Sequence, residues 1–278
     1  MAQQRIWFIT GASSGFGREL AEAAVAAGDT VVAAVRRPEA LADLVAAHPG
    51  RIDPVRLDVT DIGRIDEVVA EVLARHGRID VLVNNAGRTM VGAVEETTDA
   101  ELRDLFDLHF FGPAALIRAV LPSMRERRAG AVVNLSSMGG QLSFAGFGAY
   151  SATKFALEGL SEALLDEVRE YGITVLIVEP GAFRTNLFGK GAAYFSAENP
   201  AYAGTVGATR EFVAGGDGGQ AGDPAKAAAA VVTALAAADT PLRLPLGSDA
   251  VDAIRGHLDA VGAEIAQWET LARDTEFD

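Results

Sequence analysis

An α/β fold with one doubly wound, mostly parallel sheet flanked by helices follows from two features of the sequence. Short runs of apolar and β-branched residues alternate with longer amphipathic stretches. The short runs are apolar throughout rather than at every second position, as in RIWFIT (5–10), DVLVNN (80–85) and ITVLIV (173–178). Continuous apolarity suits strands buried on both faces, as in parallel sheets. The strand–helix repetition implies right-handed crossovers in which helices cover both faces.

In chain order, strands are expected at 5–10, 30–35, 52–57, 79–84, 131–136 and 173–178. Helices are expected between them at 15–27, 39–47, 61–76, 99–127 and 150–171. Regularity fails from 186 to 223, a stretch rich in Gly, Ala and aromatics with GGDGG at 215–219. A long irregular segment in a compact domain is usually functional, so 186–223 is expected to be a substrate-binding lid. Pro224 suits the first turn of a helix over 224–238. A final strand at 242–246 and a helix at 248–272, with Asp249 and Asp252 near its positive end, form a C-terminal extension over 242–278. All 278 residues are read as one domain.

Bulk properties narrow the function. The net charge is −14 and the pI about 4.7, a mean field that repels nucleic acid and anionic lipid. An anionic ligand then needs a local cluster of donors. Cysteine is absent, which excludes thiolate catalysis and disulfides, and no metal site is expected. The N-terminus lacks the signature of a signal peptide, and no uninterrupted apolar run reaches ~18 residues. No membrane association and a cytoplasmic location are the expectations. Lysine occurs only at 154, 190 and 226, so a lysine inside a motif carries weight.

After the first strand comes Thr10-Gly11-Ala12-Ser13-Ser14-Gly15-Phe16-Gly17. Gly11 can adopt the positive φ of a tight turn. Gly15 and Gly17 permit close approach of backbone, ligand and the next helix, whose N–H groups suit a pyrophosphate. Ser13, Ser14 and Phe16 complete this cradle. Dinucleotide folds place an acid about 20 residues further on, against the ribose hydroxyls. Here the second strand ends in Val35-Arg36-Arg37, with no acid. Guanidinium groups bind a 2′-phosphate that a carboxylate would repel, so Arg36 is the expected ligand and Arg37 its helper. NADP(H) is the expected cofactor, with NAD(H) less favoured.

Tyr150-Ser151-Ala152-Thr153-Lys154 sets a phenol and an ammonium one helical turn apart. The ammonium is expected to favour the phenolate. Ser137 lies 150 − 137 = 13 residues before the tyrosine. Asn84-Asn85-Ala86-Gly87 follows the fourth strand, and Pro180-Gly181-Ala182-Phe183-Arg184-Thr185 follows the sixth. In this order and on these elements, the motifs resemble those of the short-chain dehydrogenase/reductase family, over roughly two-thirds of the chain. The likeness is greatest to an NADP(H)-preferring branch with hydroxysteroid and retinol dehydrogenase-like members.

The resemblance implies a doubly wound Rossmann fold and a set of roles. Tyr150 would be the general acid in reduction and the base in oxidation, and Ser137 would donate to the carbonyl oxygen. Lys154 would hold the nicotinamide ribose and lower the Tyr150 pKa. Asn84, Ala86 and Gly87 would line the cofactor channel. Phe183 and Thr185, with Pro180 and Gly181, would orient the carboxamide. Asp58, with Val59 beside it, would contact the adenine; helix capping near Thr60 and Asp61 is the alternative reading of Asp58. Ser136, next to Ser137, is read as a backbone-bonded strand residue. The family usually has Asn where this chain has His109, in Leu108-His109-Phe110-Phe111-Gly112-Pro113. His109 either serves a proton relay, by its ring or by titrating, or is a satisfied helix residue whose backbone carbonyl serves it.

Substrate-pocket candidates are Met138, Gln141, Phe144 and Phe188, with Phe147, Arg88, Met90, Tyr194, Phe195 and Tyr202 as further ones. Their aromatic character points to an apolar ketone, aldehyde or secondary alcohol of moderate size. A homodimer or homotetramer through the central helices is expected. Two other readings keep the fold: a nucleotide-sensing scaffold without turnover, and a relative doing non-redox chemistry.

Overall fold

The computed structural model describes residues 4–189, 191–216 and 218–277. Lys190 and Asp217, both within the expected lid, lie outside the described residues.

The first half alternates strictly: β1 (Ile6–Thr10), α1 (Gly15–Ala26), β2 (Thr30–Val35), α2 (Ala42–Ala47), β3 (Ile52–Arg56), α3 (Ile62–His76) and β4 (Val81–Asn84). A short β5 (Thr89–Val91) precedes α4 (Asp99–Phe106) and α5 (Gly112–Arg127). Then come β6 (Gly130–Leu135), α6 (Gly148–Val168), β7 (Ile173–Pro180), β8 (Ala193–Phe195), α7 (Ala203–Gly215), α8 (Pro224–Ala236), β9 (Arg243–Leu246) and α9 (Ser248–Arg273). Seven strands form one sheet in the order β3-β2-β1-β4-β6-β7-β9, and every neighbouring pair is parallel.

Successive residues of each strand feed opposite layers. Ile6, Phe8, Val32, Leu82, Val132 and Val175 pack with α3, α5 and α6. Trp7, Ile9, Val31, Val83, Val133 and Leu176 pack with α1, α2 and α8. Both faces are therefore covered, which is why the strands read as unbroken apolar runs. The chain winds outward from β1 through β2 to β3, then returns to β4 on the other side. The loops after β1 and β4 thus part toward opposite faces and leave a crevice at the strands' C-terminal ends.

Two expectations need correction. The helix expected over 99–127 is interrupted by one π turn at Asp107–Phe111. The wider turn lets Gly112 pass directly over the Val59 carbonyl, where a Cβ would collide, and it faces His109 inward, 1% exposed. Such π bulges recur at functional sites. An 18-residue window within the same stretch, Asp99–Arg127, also meets the length and composition of a membrane span, with a mean hydropathy of 1.3. The run-length criterion missed this because charged residues interrupt the apolar ones; half of the span is buried inside the protein.

Segment 186–223 is more regular than its composition implies. β8 pairs with β5, and α7 buries Val206 and Val213 against Val91 and Ala93. Glycines at 204, 207 and 215 lower the intrinsic helix propensity; tertiary contacts hold α7 instead. Arg210 donates to Glu96 at 2.7 Å, and Thr209 donates to the Ala145 carbonyl at 2.8 Å. Glu96 also accepts from the backbone N–H of Asn199 and of Ala93 at 2.7 Å each. These N–H groups, then Arg210, hold its carboxyl at about 2. A carboxyl depressed on folding contributes stability above its ordinary range that is lost as pH falls through the folded value. This anchor of segment 186–223 is thus intact above pH 4.5 and fails on descent toward pH 2.

Replacing Glu96 with Gln is predicted to loosen this segment. Proteolytic cleavage between 186 and 216 rises on the order of tenfold at neutral pH, while the global melting transition changes little. Unchanged cleavage would remove Glu96 as the anchor.

Candidate active site

A cleft of about 410 Å³ opens at the C-terminal ends of β1, β4, β6 and β7. Its floor is the turn between β1 and α1. Gly11 and Gly15 have φ of 66° and 54°, values reserved largely for glycine. Gly11, Ser13, Ser14, Gly15 and Phe16 line the cleft. Gly17 lies behind the loop, packed on Asn85 and the Gly11 carbonyl with no room for a Cβ. The first turn of α1 has neither a side-chain cap nor an acidic residue. Its N–H groups are left for an anionic ligand, as a dinucleotide pyrophosphate requires.

The loop after β4 is tied to this turn. The Thr10 hydroxyl donates to the Val83 carbonyl at 3.2 Å and accepts from the N–H groups of Asn85 and Ala86 at 2.9 and 3.0 Å. Asn85 Nδ2 donates to the Thr10 carbonyl at 2.8 Å. Asn85, Ala86 and Gly87 line the cleft. Asn84, expected to do so, does not. As the last residue of β4 its side chain enters the layer under α6, where Nδ2 donates to Asn134 Oδ1 at 2.8 Å. Asn134 in turn donates to Ser161.

Beyond β2, Arg36 is exposed and lines the cleft, while Arg37 does not and precedes the turn begun by Pro38. The helper role of Arg37 is therefore withdrawn. Asp58 and the buried Val59 line the same end. Asp58 Oδ1 accepts from the Thr60 N–H and hydroxyl at 3.0 and 2.8 Å. It closes a local turn and does not cap α3, whose N-cap position is Asp61.

Ser137, Tyr150 and Lys154 meet on one wall. Ser137 Oγ accepts from the Gly139 N–H at 3.1 Å and reaches the Pro180 carbonyl only at 3.5 Å, so its proton can turn to the neighbouring Tyr150 oxygen or to a ligand. Burial pushes the Tyr150 phenol up to about 12, partly offset by a side-chain hydrogen bond from Ser137. Lys154 Nζ donates to the Leu135 carbonyl at 2.8 Å and sits 5.7 Å from the Tyr150 ring centre. Burial brings Lys154 down to about 8, against the opposing charge of Glu158. The expected lowering of the phenol by Lys154 is not found: desolvation raises it, and only the Ser137 hydrogen bond opposes that.

His109 lines the cleft but has no free ring nitrogen. Thr153 spends its only proton on the Tyr150 carbonyl at 2.7 Å, so it accepts from His109 Nδ1–H at 2.9 Å. Nε2 then accepts from the Arg88 N–H at 3.2 Å. Burial, then the charges of Lys154 and Arg88, hold the ring well below its ordinary pKa. The relay by the ring or by titration is corrected accordingly: His109 is a neutral clamp packed edge-on to Tyr150 at 5.6 Å.

Pro180, Gly181, Phe183 and Thr185 line the opposite lip. The Phe183 ring packs on Phe16 at 5.1 Å, and Thr185 lies directly over Gly15. Phe188, Arg88 and Tyr194 also line the cleft, the last two stacked at 4.4 Å. Met138, Gln141 and Phe144 do not. Phe144 is 46% exposed, and Met138 starts a short turn after Ser137. Gln141 Nε2 is held by Glu158 at 2.6 Å and Glu179 at 2.9 Å. Met90 is buried behind Tyr150 with Leu105; Phe147 packs on the Tyr150 ring at 6.0 Å. Tyr202 hydrogen-bonds Glu95 outside the cleft, and Phe195 is exposed.

Sequence reading missed a polar cluster behind the wall that bears Ser137, Tyr150 and Lys154. Ser136, rather than bonding backbone with its hydroxyl, donates to Glu158 at 2.6 Å. Glu179 is fully buried and raised by desolvation and by Glu158. Arg243 reaches both carboxylates at 3.2 and 3.3 Å. The one available signal was Glu158 at i+4 from Lys154 on the same helix.

These ionisations predict a pH profile. Lys154, depressed to about 8, is charged below that pH and loses its charge as pH rises through it. For the reductive direction, kcat/KM for the cofactor should therefore fall above pH 8 with one-proton dependence, and show no step near the ordinary histidine value, because His109 stays neutral. A step there that vanishes in His109→Asn would contradict the clamp.

The sequence profile described as short chain dehydrogenase matches residues 5–193. The oxidoreductase BOA17 of Botryotinia fuckeliana (strain B05.10) is 36% identical over 269 residues, 96% of this chain and 98% of that protein. The crystal structure of a short-chain dehydrogenase from Streptomyces avermitilis is 68% identical and superposes with a TM-score of 0.94, covering 99% of this chain and 100% of that one. Two more distant structures share the fold. One is a short chain dehydrogenase from Burkholderia cenocepacia J2315 in complex with NADP, with 24% identity, TM-score 0.74 and coverage of 95% and 97%. The other is a family member from Burkholderia phymatum in complex with NAD, with 24% identity, TM-score 0.82 and coverage of 94% and 95%. Matched along most of its length, with the motif residues gathered at one cleft, the chain belongs to the short-chain dehydrogenase/reductase family of oxidoreductases.

Proposed function

We propose that this enzyme interconverts a ketone or aldehyde with an alcohol, using NADP(H) and the side chains of Ser137, Tyr150 and Lys154. The observation that carries the reading is the meeting of a proton-bearing serine, a protonated buried tyrosine and a buried lysine on one wall of the cleft. The opposite end offers the uncapped start of α1 and Arg36.

When bound, the nicotinamide supplies or accepts the hydride. In reduction, the Ser137 hydroxyl donates a hydrogen bond to the substrate carbonyl oxygen, where negative charge grows as the carbon gains hydride. Tyr150 gives its phenolic proton to that same oxygen, forming the alcohol and leaving a phenolate. Lys154 stabilises that phenolate and holds the ribose. In oxidation Tyr150 takes the proton back. Gly11 to Phe16 hold the pyrophosphate, and Arg36 takes the 2′-phosphate with charge-assisted bonds. No carboxylate follows β2 at the ribose position, which favours NADP(H) over NAD(H).

Leu187, Phe188, Ala192 and Tyr194 on the distal wall favour an apolar or cyclic substrate. The exposed Phe111 and Phe155, 50% and 46% accessible, support association of copies through the faces around α5 and α6. A cytoplasmic location is part of the same reading.

Two variants test it. Tyr150→Phe should lower kcat on the order of 10³-fold with NADPH binding retained; substantial retained turnover excludes the proton role. Arg36→Asp should weaken NADPH at least about tenfold more than NADH; equal losses exclude the phosphate contact.

A further inference from the structure

The exposed part of α9 is not explained by the active site. Its root is fixed: Asp249 accepts from the Ala182 N–H at 2.7 Å, and only Ala250 and Ile254 are buried. From Leu258 to Phe277 every residue is exposed. Yet one stripe of that surface is apolar. Val251, Ile254, Leu258, Val261, Ile265 and Trp268 follow one another at steps of 3, 4, 3, 4 and 3, and Ala272 continues the series. Leu258, Ile265 and Trp268 are 55%, 64% and 59% accessible.

This is the residue spacing of a two-helix coiled-coil seam. A protruding helix of this length is marginal on its own propensity and needs its apolar face covered. The stripe presents roughly 500 Å² per chain, so a symmetric pair buries about 1,000 Å², near the lower bound for a specific interface. The polar face is acidic, with Asp252, Asp259, Glu264 and Glu269, which disfavours an anionic lipid surface.

We propose that α9 beyond Ile254 is a dimerisation arm whose occupant is the same helix of a second copy, packed antiparallel. In that register Leu258 meets the partner's Trp268 and Val261 the partner's Ile265. Charge selects this arrangement. The flanking position Arg255 falls opposite the partner's Glu269, twice by symmetry. Arg255 has no ion pair among the described residues, and Glu269 spends only Oε1 on Arg273, at 2.7 Å. Gly262 meets its own copy on the same flank, where the backbones can close. One like-charge contact remains: Glu264 faces the partner's Glu264 on the exposed opposite flank, where water and salt screen it. Because the root of α9 bonds the loop after β7, the arm joins two clefts through one rigid element. The inference does not depend on the chemistry proposed for the cleft.

Sedimentation equilibrium of the full chain tests it. Ile265→Asp/Trp268→Asp, with an unchanged melting transition as the folding control, should have half the native mass. Arg255→Glu and Glu269→Arg should each weaken association on the order of tenfold, since two contacts turn repulsive. An equimolar mixture of these two should regain native mass, because every flanking contact in the mixed pair is again opposite in sign. Equal masses for native protein and the double variant overturn the arm. Failure of the mixture to recover overturns the antiparallel register. Trp268-dependent binding to phosphatidylcholine vesicles without a change of mass would make the occupant lipid and overturn the proposal.

Discussion

Everything at the active site depends on a clasp where the sheet reverses direction. The topology sends the chain from β1 to one side and from β4 to the other, so their loops would part. Thr10 prevents this with a single hydroxyl that gives one hydrogen bond to β4 and takes two from the loop after it. Its full capacity of one donor and two acceptors is used. The Asn85 amide completes the join. With the two loops fixed, the uncapped end of α1 and the wall bearing Ser137, Tyr150 and Lys154 face the same space. Gly17 is then required because the clasp leaves no room for a Cβ at the first helical turn.

The second constraint is electrostatic. The wall puts a phenol and an ammonium in a buried setting, which disfavours the charge of both: Tyr150 rises to about 12 and Lys154 falls to about 8. Neutral Tyr150 suits the donor role in reduction. Lys154 keeps its charge at neutral pH with help from Glu158, which belongs to a network of Ser136, Gln141, Glu179 and Arg243. The network ties α6, β7 and β9 behind the reacting groups, in a place where an unpaired carboxylate would be costly. His109 contributes order rather than protons, since Thr153 and Arg88 engage both of its nitrogens.

The fold was legible because it rests on patterns that are local in sequence. Strands buried on both faces read as continuous apolar runs, and the glycine turn sits where the first strand meets the first helix. Ser137, Tyr150 and Lys154 stood out because their spacing along β6 and α6 resembles that of the family. What stayed hidden depends on tertiary partners. Asn84 turns away from the cleft and Asn85 lines it because the pleat, not the motif, decides which amide faces it. The π turn at His109 goes with the close approach of Gly112 to Val59, and α7 is held by Glu96 and buried valines against its own glycines. Gln141 looked like a pocket residue until two carboxylates from other elements claimed its amide.

The central claim is that the cleft holds a nicotinamide dinucleotide bearing a 2′-phosphate. Titration of the purified protein with NADPH and with NADH at fixed salt, followed by nicotinamide fluorescence, tests it most directly. Saturable binding of NADPH at least about tenfold tighter than NADH is expected, with the difference shrinking as salt rises. Equal affinities, or binding of neither by folded protein, would contradict it.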